Sequence, residues 1–370
     1  MQLFRLALTG DMLNIDGYLD PRAIGLDRLE TVPYIQHHFL RDLGPSHDDP
    51  TYWDRFYSLL LTPAHIADVH GVYVVRPWIK ASTFAEGADN LTVIARAGTG
   101  YDKIDVQACT DNDVLMFNTP DALTHSTASA ALLLMLALAK RLTAQEKITR
   151  EGRWDLQASV QGGEIQHKTL GIVGLGRTGR ELARLVAPFE MTILAYSPRA
   201  DPRDAEKAGI RLVSLDALFR ESDFISLHAS LRPDTRGMIR REHLALMKPT
   251  AYLVNVARGE LIDEPALVEI LQNGQIAGAG LDVFEEEPLS ADHPLIKLDN
   301  VILTPHWLPA TRDAGLSLGW TTLQGILRVA RGELPENIVN PAVLDRSRFW
   351  EKLARFEVNR QIEKSTGLTQ

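Results

Sequence analysis

Short, continuous apolar runs closed by turn-forming residues recur along the first third of the chain, at residues 4–8, 72–75, 92–95 and 114–117. Runs of this length without polar alternation mark strands buried on both faces of a parallel sheet. Around residue 120 the pattern changes. Asn118-Thr119-Pro120-Asp121 reads as a turn, and Ser126 or Thr127 is placed to cap a long helix ending near Arg141. A second series of apolar runs follows at 169–173, 191–196, 224–227, 251–254, 279–283 and 301–303. Helical stretches lie between them, such as 264–272, which Asn273-Gly274 closes. Strand alternating with helix, twice over, predicts an α/β protein of two doubly wound parallel-sheet domains. The stretch from Asp16 to about Pro63 breaks this rhythm with prolines, aromatics and charges, and reads as a surface-loop insertion in the first domain.

The glycines of the second series carry the first chemistry. Gly174-Leu175-Gly176-Arg177-Thr178-Gly179 follows an apolar strand and opens an amphipathic segment through Pro188, with a further strand at 191–196. Gly174 permits the tight turn, Gly176 lets the backbone approach a pyrophosphate, and Gly179 lets helix and strand pack closely. The N–H groups and dipole of the helix start favour the anion. A dinucleotide site is the expectation.

Bulk properties narrow the rest. The chain has 370 residues, 45% hydrophobic and 24% charged, and 39 basic against 48 acidic side chains give a net charge of −9. That balance, without a dense Lys/Arg run, argues against nucleic acid or an anionic membrane as partner. Cys109 is the sole cysteine, so an intrachain disulfide is excluded. The N-terminus reaches Asp11 without a cationic-then-apolar leader, and the longest apolar stretch, 128–139, is too short to span a bilayer. A cytoplasmic protein is expected. His37, His38 and His47 with Asp48 and Asp49 suggest a metal site only superficially, because adjacent histidines diverge on either a helix or a strand; no metal is expected. Gly315-Leu316-Ser317-Leu318-Gly319 matches a nucleophile elbow, but it lies inside a helical run and no histidine follows His306, so a hydrolase is a poor reading.

Three segments end strands of the second series on the side where ligands collect in open α/β sheets. They are Asn255-Val256-Ala257-Arg258-Gly259, Asp282 through Pro288, and Leu303-Thr304-Pro305-His306. They supply a guanidinium, a carboxylate and an imidazole, the groups that reduction of a 2-keto acid needs. Arginine's fork grips a carboxylate and polarises the adjoining carbonyl. Histidine moves the proton as hydride arrives, and an acid on its far nitrogen fixes the tautomer.

With these segments in hand, the chain resembles the D-isomer-specific 2-hydroxyacid dehydrogenases, the family of phosphoglycerate dehydrogenase and glyoxylate/hydroxypyruvate reductase. The matching stretches are ARAGTGYD from Ala95, GLGRTG from Gly174, His228 through Thr235, VNVARGELIDEPAL from Val254, GAGLDVFEEEPL from Gly278 and TPH from Thr304. The resemblance implies Arg258 as substrate clamp, Glu287 as acidic partner and His306 as acid/base. It implies Arg177 and Thr178 at the pyrophosphate, Ala229, Val256, Ala257 and Asp282 along the nicotinamide half, and backbone donors from the loop holding Gly98, Thr99 and Gly100. The implied architecture is a Rossmann-type NAD(P)-binding domain, 124–310, inserted in a flavodoxin-like substrate domain, 1–123 with 311–370, with the active site in the cleft between domains. It also implies a homodimer through the nucleotide domain, with Trp154 in the segment that embraces the partner.

The chain departs from the family pattern in ways that bear on cofactor and substrate. Where NAD-specific relatives carry an aspartate after the second nucleotide strand, it reads Tyr196-Ser197-Pro198-Arg199. Serine removes the repulsion of a 2′-phosphate and Arg199 can pair with it, so NADP is favoured over NAD. Trp307 follows the acid/base where relatives are small and glycine-rich, and Ser129 stands where a glutamate is frequent. Arg76 and Arg96 align with arginines that phosphoglycerate dehydrogenases use near the substrate phosphate, yet Arg76 is followed by Pro77-Trp78-Ile79-Lys80 rather than small polar residues. The tail from Asn340 reads as one amphipathic helix, without an appended regulatory domain. The expectation is a short or medium 2-keto acid. A 3-phosphoglycerate dehydrogenase, a formate-dehydrogenase-like enzyme (against which Glu287 argues) and a dinucleotide-sensing scaffold are the alternatives.

Overall fold

The fold is built on two parallel sheets, one in each of two compact units. The computed structural model describes the backbone of residues 1–366, with side chains through residue 361. The first unit comprises residues 1–123 and those from Thr311 onward; the second comprises 124–310.

In the first unit β1 (Phe4–Thr9), β2 (Ile35–Leu40), β3 (Gly71–Val74), β4 (Val93–Arg96) and β5 (Leu115–Asn118) form a sheet of order β2-β1-β3-β4-β5 with every pair parallel. This is the flavodoxin-like order. β1, β3, β4 and β5 are buried almost throughout, as apolar strands covered on both faces must be. The region around residues 16–63 is not merely an inserted loop: it contributes β2. That strand reads Ile-Gln-His-His-Phe-Leu and lies at the sheet edge with Gln36, His37 and His38 exposed, so it lacks the apolar run that betrays an interior strand.

The second unit holds β6 (Thr169–Val173), β7 (Thr192–Tyr196), β8 (Ile210–Leu212), β9 (Phe224–Leu227), β10 (Tyr252–Asn255), β11 (Gly278–Leu281) and β12 (Val301–Leu303). Their order is β12-β11-β10-β9-β6-β7-β8, again all parallel, and it reverses direction between β6 and β9. Such a reversal leaves a crevice beyond the carboxyl ends of the strands, where dinucleotides bind in this architecture. β8 has three residues at the edge, too short for periodicity to reveal.

Helix boundaries differ from expectation in two places. The long apolar helix runs Thr124–Ala139, so Ser126 sits in its first turn rather than before it, and its hydroxyl donates to the Pro309 carbonyl. The tail from Asn340 forms two helices, Ser347–Ala354 and Glu357–Thr366, instead of one. Helix Glu264–Gln272 is capped at its start by the Asp263 side chain, and the residues around Ser317 lie within helix Arg312–Val329. Among the described residues, no single helix is long and apolar enough to cross a membrane, and no group of three His, Cys, Asp or Glu gathers to hold a metal ion.

One buried histidine ties the first unit's stability to pH. His70 is 5% exposed, its Nδ1 accepts the Arg5 N–H at 2.9 Å, and its ring lies against Phe4 and Phe356. Burial, reinforced by the positive charge of Arg5, lowers its pKa from 6.5 to about 4. The folded state therefore keeps the imidazole neutral while the unfolded chain protonates below 6.5. Stability is full above that pH and is lost as pH falls toward 4, by roughly 2–3 kcal/mol. Denaturant titrations from pH 7 to 4 should give a shallower pH dependence for His70→Gln than for the parent; equal slopes would remove this assignment.

Candidate active site

The glycine turn after β6 is shaped by its neighbours. Gly174 has φ +96°, and a Cβ there would come within 2.6 Å of the Ala229 backbone nitrogen, just beyond β9. Any larger residue would block the place where strand order reverses. At Gly179 a Cβ would lie 2.4 Å from the Gly174 carbonyl oxygen, so the helix Arg177–Val186 can sit tightly on its strand. Gly176 differs. Its φ is −82° and a Cβ would meet nothing within 4 Å. The fold itself places no demand for glycine there, whereas an anion lying against the backbone would. Arg177 and Thr178 begin the helix that this residue caps. These residues fit a dinucleotide pyrophosphate.

On the same carboxyl edge, three loops follow β10, β11 and β12. The first is folded by Asn255, whose Nδ2 donates to the Arg258 carbonyl at 2.8 Å and whose Oδ1 accepts from the Ala257 N–H at 3.0 Å. Arg258 Nη1 donates to the Ala257 carbonyl at 2.7 Å. Gly259 then lets this loop touch the second: a Cβ there would lie 1.8 Å from the Phe284 carbonyl carbon and 2.3 Å from the Glu285 nitrogen.

The second loop is braced by acids. Glu287 Oε1 accepts from the Phe284 N–H at 3.2 Å, and Glu264 Oε2 accepts from the Glu285 N–H at 3.0 Å. Burial raises the pKa of Glu264, and the neighbouring charges of Glu285 and Glu287 push the same way. The other Glu287 oxygen, Oε2, lies 2.8 Å from His306 Nδ1 in the third loop. The imidazole is one-third exposed and the acid largely buried.

His306 has φ +53°, in the left-handed region that a non-glycine residue enters only when held. Asp282 supplies the hold. Its buried Oδ1 accepts from the Thr304 hydroxyl at 2.6 Å and from the N–H groups of Trp307 and Leu308 at 3.1 and 3.2 Å. Asp282, expected along the nicotinamide half, is thus fastened to the histidine turn. The supporting roles of Gly259, Glu264 and Thr304 were not legible in the sequence, because each acts on a segment distant in sequence, and that of Asn255 was not because its bonds appear only once its own loop is folded. Trp307 is 55% exposed beside the histidine. Val256 and Ala257 follow β10 within the Arg258 loop, and Ala229 follows the fully buried β9. Ser197 and Arg199 follow β7, and the exposed Arg199 has a guanidinium nitrogen 4.0 Å from Asp234.

In the first unit, the loop after β4 is braced from within. Arg96 Nε donates to the Gly100 carbonyl at 2.8 Å and its Nη1 to the Ala97 carbonyl, so the guanidinium lies beneath the loop. Gly98 has φ +127° and its N–H donates to Thr119 Oγ1 at 3.0 Å, while Asn118 Nδ2 donates to the Thr99 carbonyl at 2.7 Å. The Gly98 donor is therefore committed inside the protein. Arg76 follows β3 and pairs with Asp11.

Comparison with known proteins agrees with this geometry. The family model described as "D-isomer specific 2-hydroxyacid dehydrogenase, NAD binding domain" matches residues 132–307. A D-3-phosphoglycerate dehydrogenase of Methanocaldococcus jannaschii is 45% identical over 271 residues, 73% of this chain and 51% of that protein, so the chain spans about half of that relative's length. A glyoxylate reductase of Korarchaeum cryptofilum is 40% identical over 322 residues, covering 84% of this chain and 92% of that protein. Among solved structures, the NADPH-dependent glyoxylate/hydroxypyruvate reductase of Sinorhizobium meliloti in complex with NADP and malonate aligns with a TM-score of 0.75 at 26% identity, covering 92% of this chain and 97% of that one. With these glycine turns, strand-end loops and relatives, the chain belongs to the D-isomer-specific 2-hydroxyacid dehydrogenases.

Proposed function

We propose that this chain moves a hydride between NAD(P)H and a 2-keto or D-2-hydroxy acid, with His306 as acid/base, Glu287 as its partner and Arg258 as carboxylate clamp. The observation that carries the reading is the 2.8 Å bond between His306 Nδ1 and Glu287 Oε2 at the carboxyl edge of a sheet that opens with the glycine turn. With Nδ1 committed to the acid, Nε2 is the nitrogen that exchanges a proton with the substrate oxygen, and the carboxylate stabilises the imidazolium that forms. The nicotinamide, when bound, supplies the hydride. Arg258 pairs with the substrate carboxylate and draws electron density from the adjoining carbonyl. Thr99 and Gly100, rather than Gly98, are the backbone donors toward that carboxylate. Trp307 bears on substrate choice, and Arg96 acts by shaping the 97–100 loop.

NADPH is the favoured cofactor on this reading, with NADH accepted. An exposed arginine and a serine follow β7 where an acid would repel a 2′-phosphate; the arginine is shared with Asp234, 4.0 Å away, and would turn from it to the phosphate. The Sinorhizobium relative described as NADPH-dependent supports the same choice. A cytoplasmic homodimer joined through the nucleotide unit completes the proposal; Trp154, 66% exposed, is a side chain such a partner would cover.

Cofactor oxidation measured with glyoxylate, hydroxypyruvate, pyruvate, phenylpyruvate and phosphohydroxypyruvate tests the reaction. Arg199→Ala is expected to lower kcat/KM for NADPH about tenfold while sparing NADH, since one charge-assisted contact is lost. A strong NADH preference in the parent chain would end the NADPH assignment. Absence of turnover with every acid and both cofactors would leave the dinucleotide-sensing alternative in its place.

A further inference from the structure

Within the second unit, β7 and β9 flank β6, so the segments that follow them stand on either side of the glycine turn. The turn touches both strand ends. The Gly174 N–H donates to the Tyr196 carbonyl at 2.9 Å, and a Cβ on Gly174 would lie 2.6 Å from the Ala229 nitrogen. The two segments are therefore lips of the crevice where strand order reverses.

The lip after β9 is internally braced. Buried Thr235 accepts the Arg232 N–H at 2.8 Å through its hydroxyl oxygen and donates to the Ser230 carbonyl at 2.7 Å. On this lip Asp234 faces two cations. Arg232 meets it with two nitrogens of its fork, Nε 3.0 Å from Oδ1 and Nη2 3.5 Å from Oδ2. Arg199, on the opposite lip, stands 4.0 Å away, beyond hydrogen-bonding distance. The Arg232 hydrogen bond, ahead of the Arg199 charge, holds the Asp234 carboxyl below its ordinary pKa. The acid belongs first to Arg232.

An uncommitted carboxylate this near Arg199 would pair with it and would repel a 2′-phosphate brought to that arginine. With Arg232 on the acid, the three side chains sum to one positive charge. Arg199 can then leave Asp234 for a phosphate without stranding the acid. The exchange is easy, because Arg199, Asp234 and Arg232 are 71%, 63% and 37% exposed and exposed ion pairs are held weakly.

We propose that Arg232 is a positioning residue for cofactor choice: by occupying Asp234 it keeps that acid off Arg199, which then serves the 2′-phosphate of NADP. The inference rests on the NADPH reading above and adds to it a residue on the far lip of the crevice.

The test is a double-mutant cycle on the full chain, read as the ratio of kcat/KM for NADPH over that for NADH with glyoxylate. Arg232→Ala should lower the ratio about fivefold or more, with the NADH value within about twofold of the parent. Asp234→Asn should change the ratio little in the parent, where the acid is already occupied, yet restore most of it in the Arg232→Ala background. Calorimetric titration with adenosine 2′,5′-bisphosphate and with 5′-AMP should show the same pattern in Kd, independent of turnover. Additive effects of the two substitutions overturn the proposal, because Arg232 would then act without Asp234. An unchanged ratio in Arg232→Ala, or an equal loss with both cofactors, overturns it as well. A parent chain that strongly prefers NADH removes the NADPH reading and this inference with it, whereas failure of the cycle in a parent that takes NADPH removes the inference alone.

Discussion

Replacing His306 with alanine is expected to lower kcat about 10²-fold or more, while the protein stays folded and still binds the dinucleotide. The expectation follows from the site's construction. His306 is one-third exposed at a loop tip and contributes little packing, so its removal should not unfold the chain. Its Nδ1 is held by Glu287, and among the described residues no other imidazole is held against that acid. Glu287→Gln should cost less, roughly tenfold, because the hydrogen bond survives and only the charge that stabilises the imidazolium is lost. Arg258→Ala should lower kcat and raise KM together, since the proposed function puts clamp and carbonyl polarisation in that one side chain. Steady-state kinetics with glyoxylate and NADPH measure all three. Turnover unchanged in the His306 variant would mean that the proton moves elsewhere.

Gly259→Ala is expected to be as damaging by a different route. An added Cβ would fall 1.8 Å from the Phe284 carbonyl carbon and 2.1 Å from its oxygen. These are backbone atoms and cannot swing aside as a side-chain tip would, so the Arg258 and Glu287 loops must separate. The stability cost is put at about 3 kcal/mol or more. The displacement carries Glu287 away from the imidazole, so activity should fall even where the variant remains folded. A melting temperature and kcat equal to those of the parent chain would show that the two loops yield more easily than their contact suggests.

What could be read from the sequence follows from how each feature leaves its trace. Interior strands such as β6 and β10 are buried on both faces and announce themselves as apolar runs. The edge strands β2 and β8 do not: one carries Gln36-His37-His38 outward and the other has only three residues. The glycine turn and the Arg258, Glu287 and His306 segments stood out because each is a local string of unusual residues. The bracing roles of their supports did not: the resemblance places Asp282 only along the nicotinamide half, and the local pattern shows Thr119 only as part of a turn. Asp282 reaches across more than twenty positions to Thr304, Trp307 and Leu308, and Thr119 closes back on Gly98. Polar residues of these types are common, and only the folded chain gives them partners. Arg96 looked like a substrate residue from its position, yet its guanidinium braces its own loop.

The single Asp282 oxygen that gathers three donors has a bearing on how such enzymes diversify. It grips residues 307 and 308 through their amides, and amides are common to every amino acid but proline. Side chains at those two positions can therefore be exchanged while the imidazole keeps its station. On the proposed function, chemistry is anchored by the main chain and taste for substrate is left to the rotating cast beside it, so that the bulky indole at 307 would be a place where a lineage can change diet without rebuilding its catalyst.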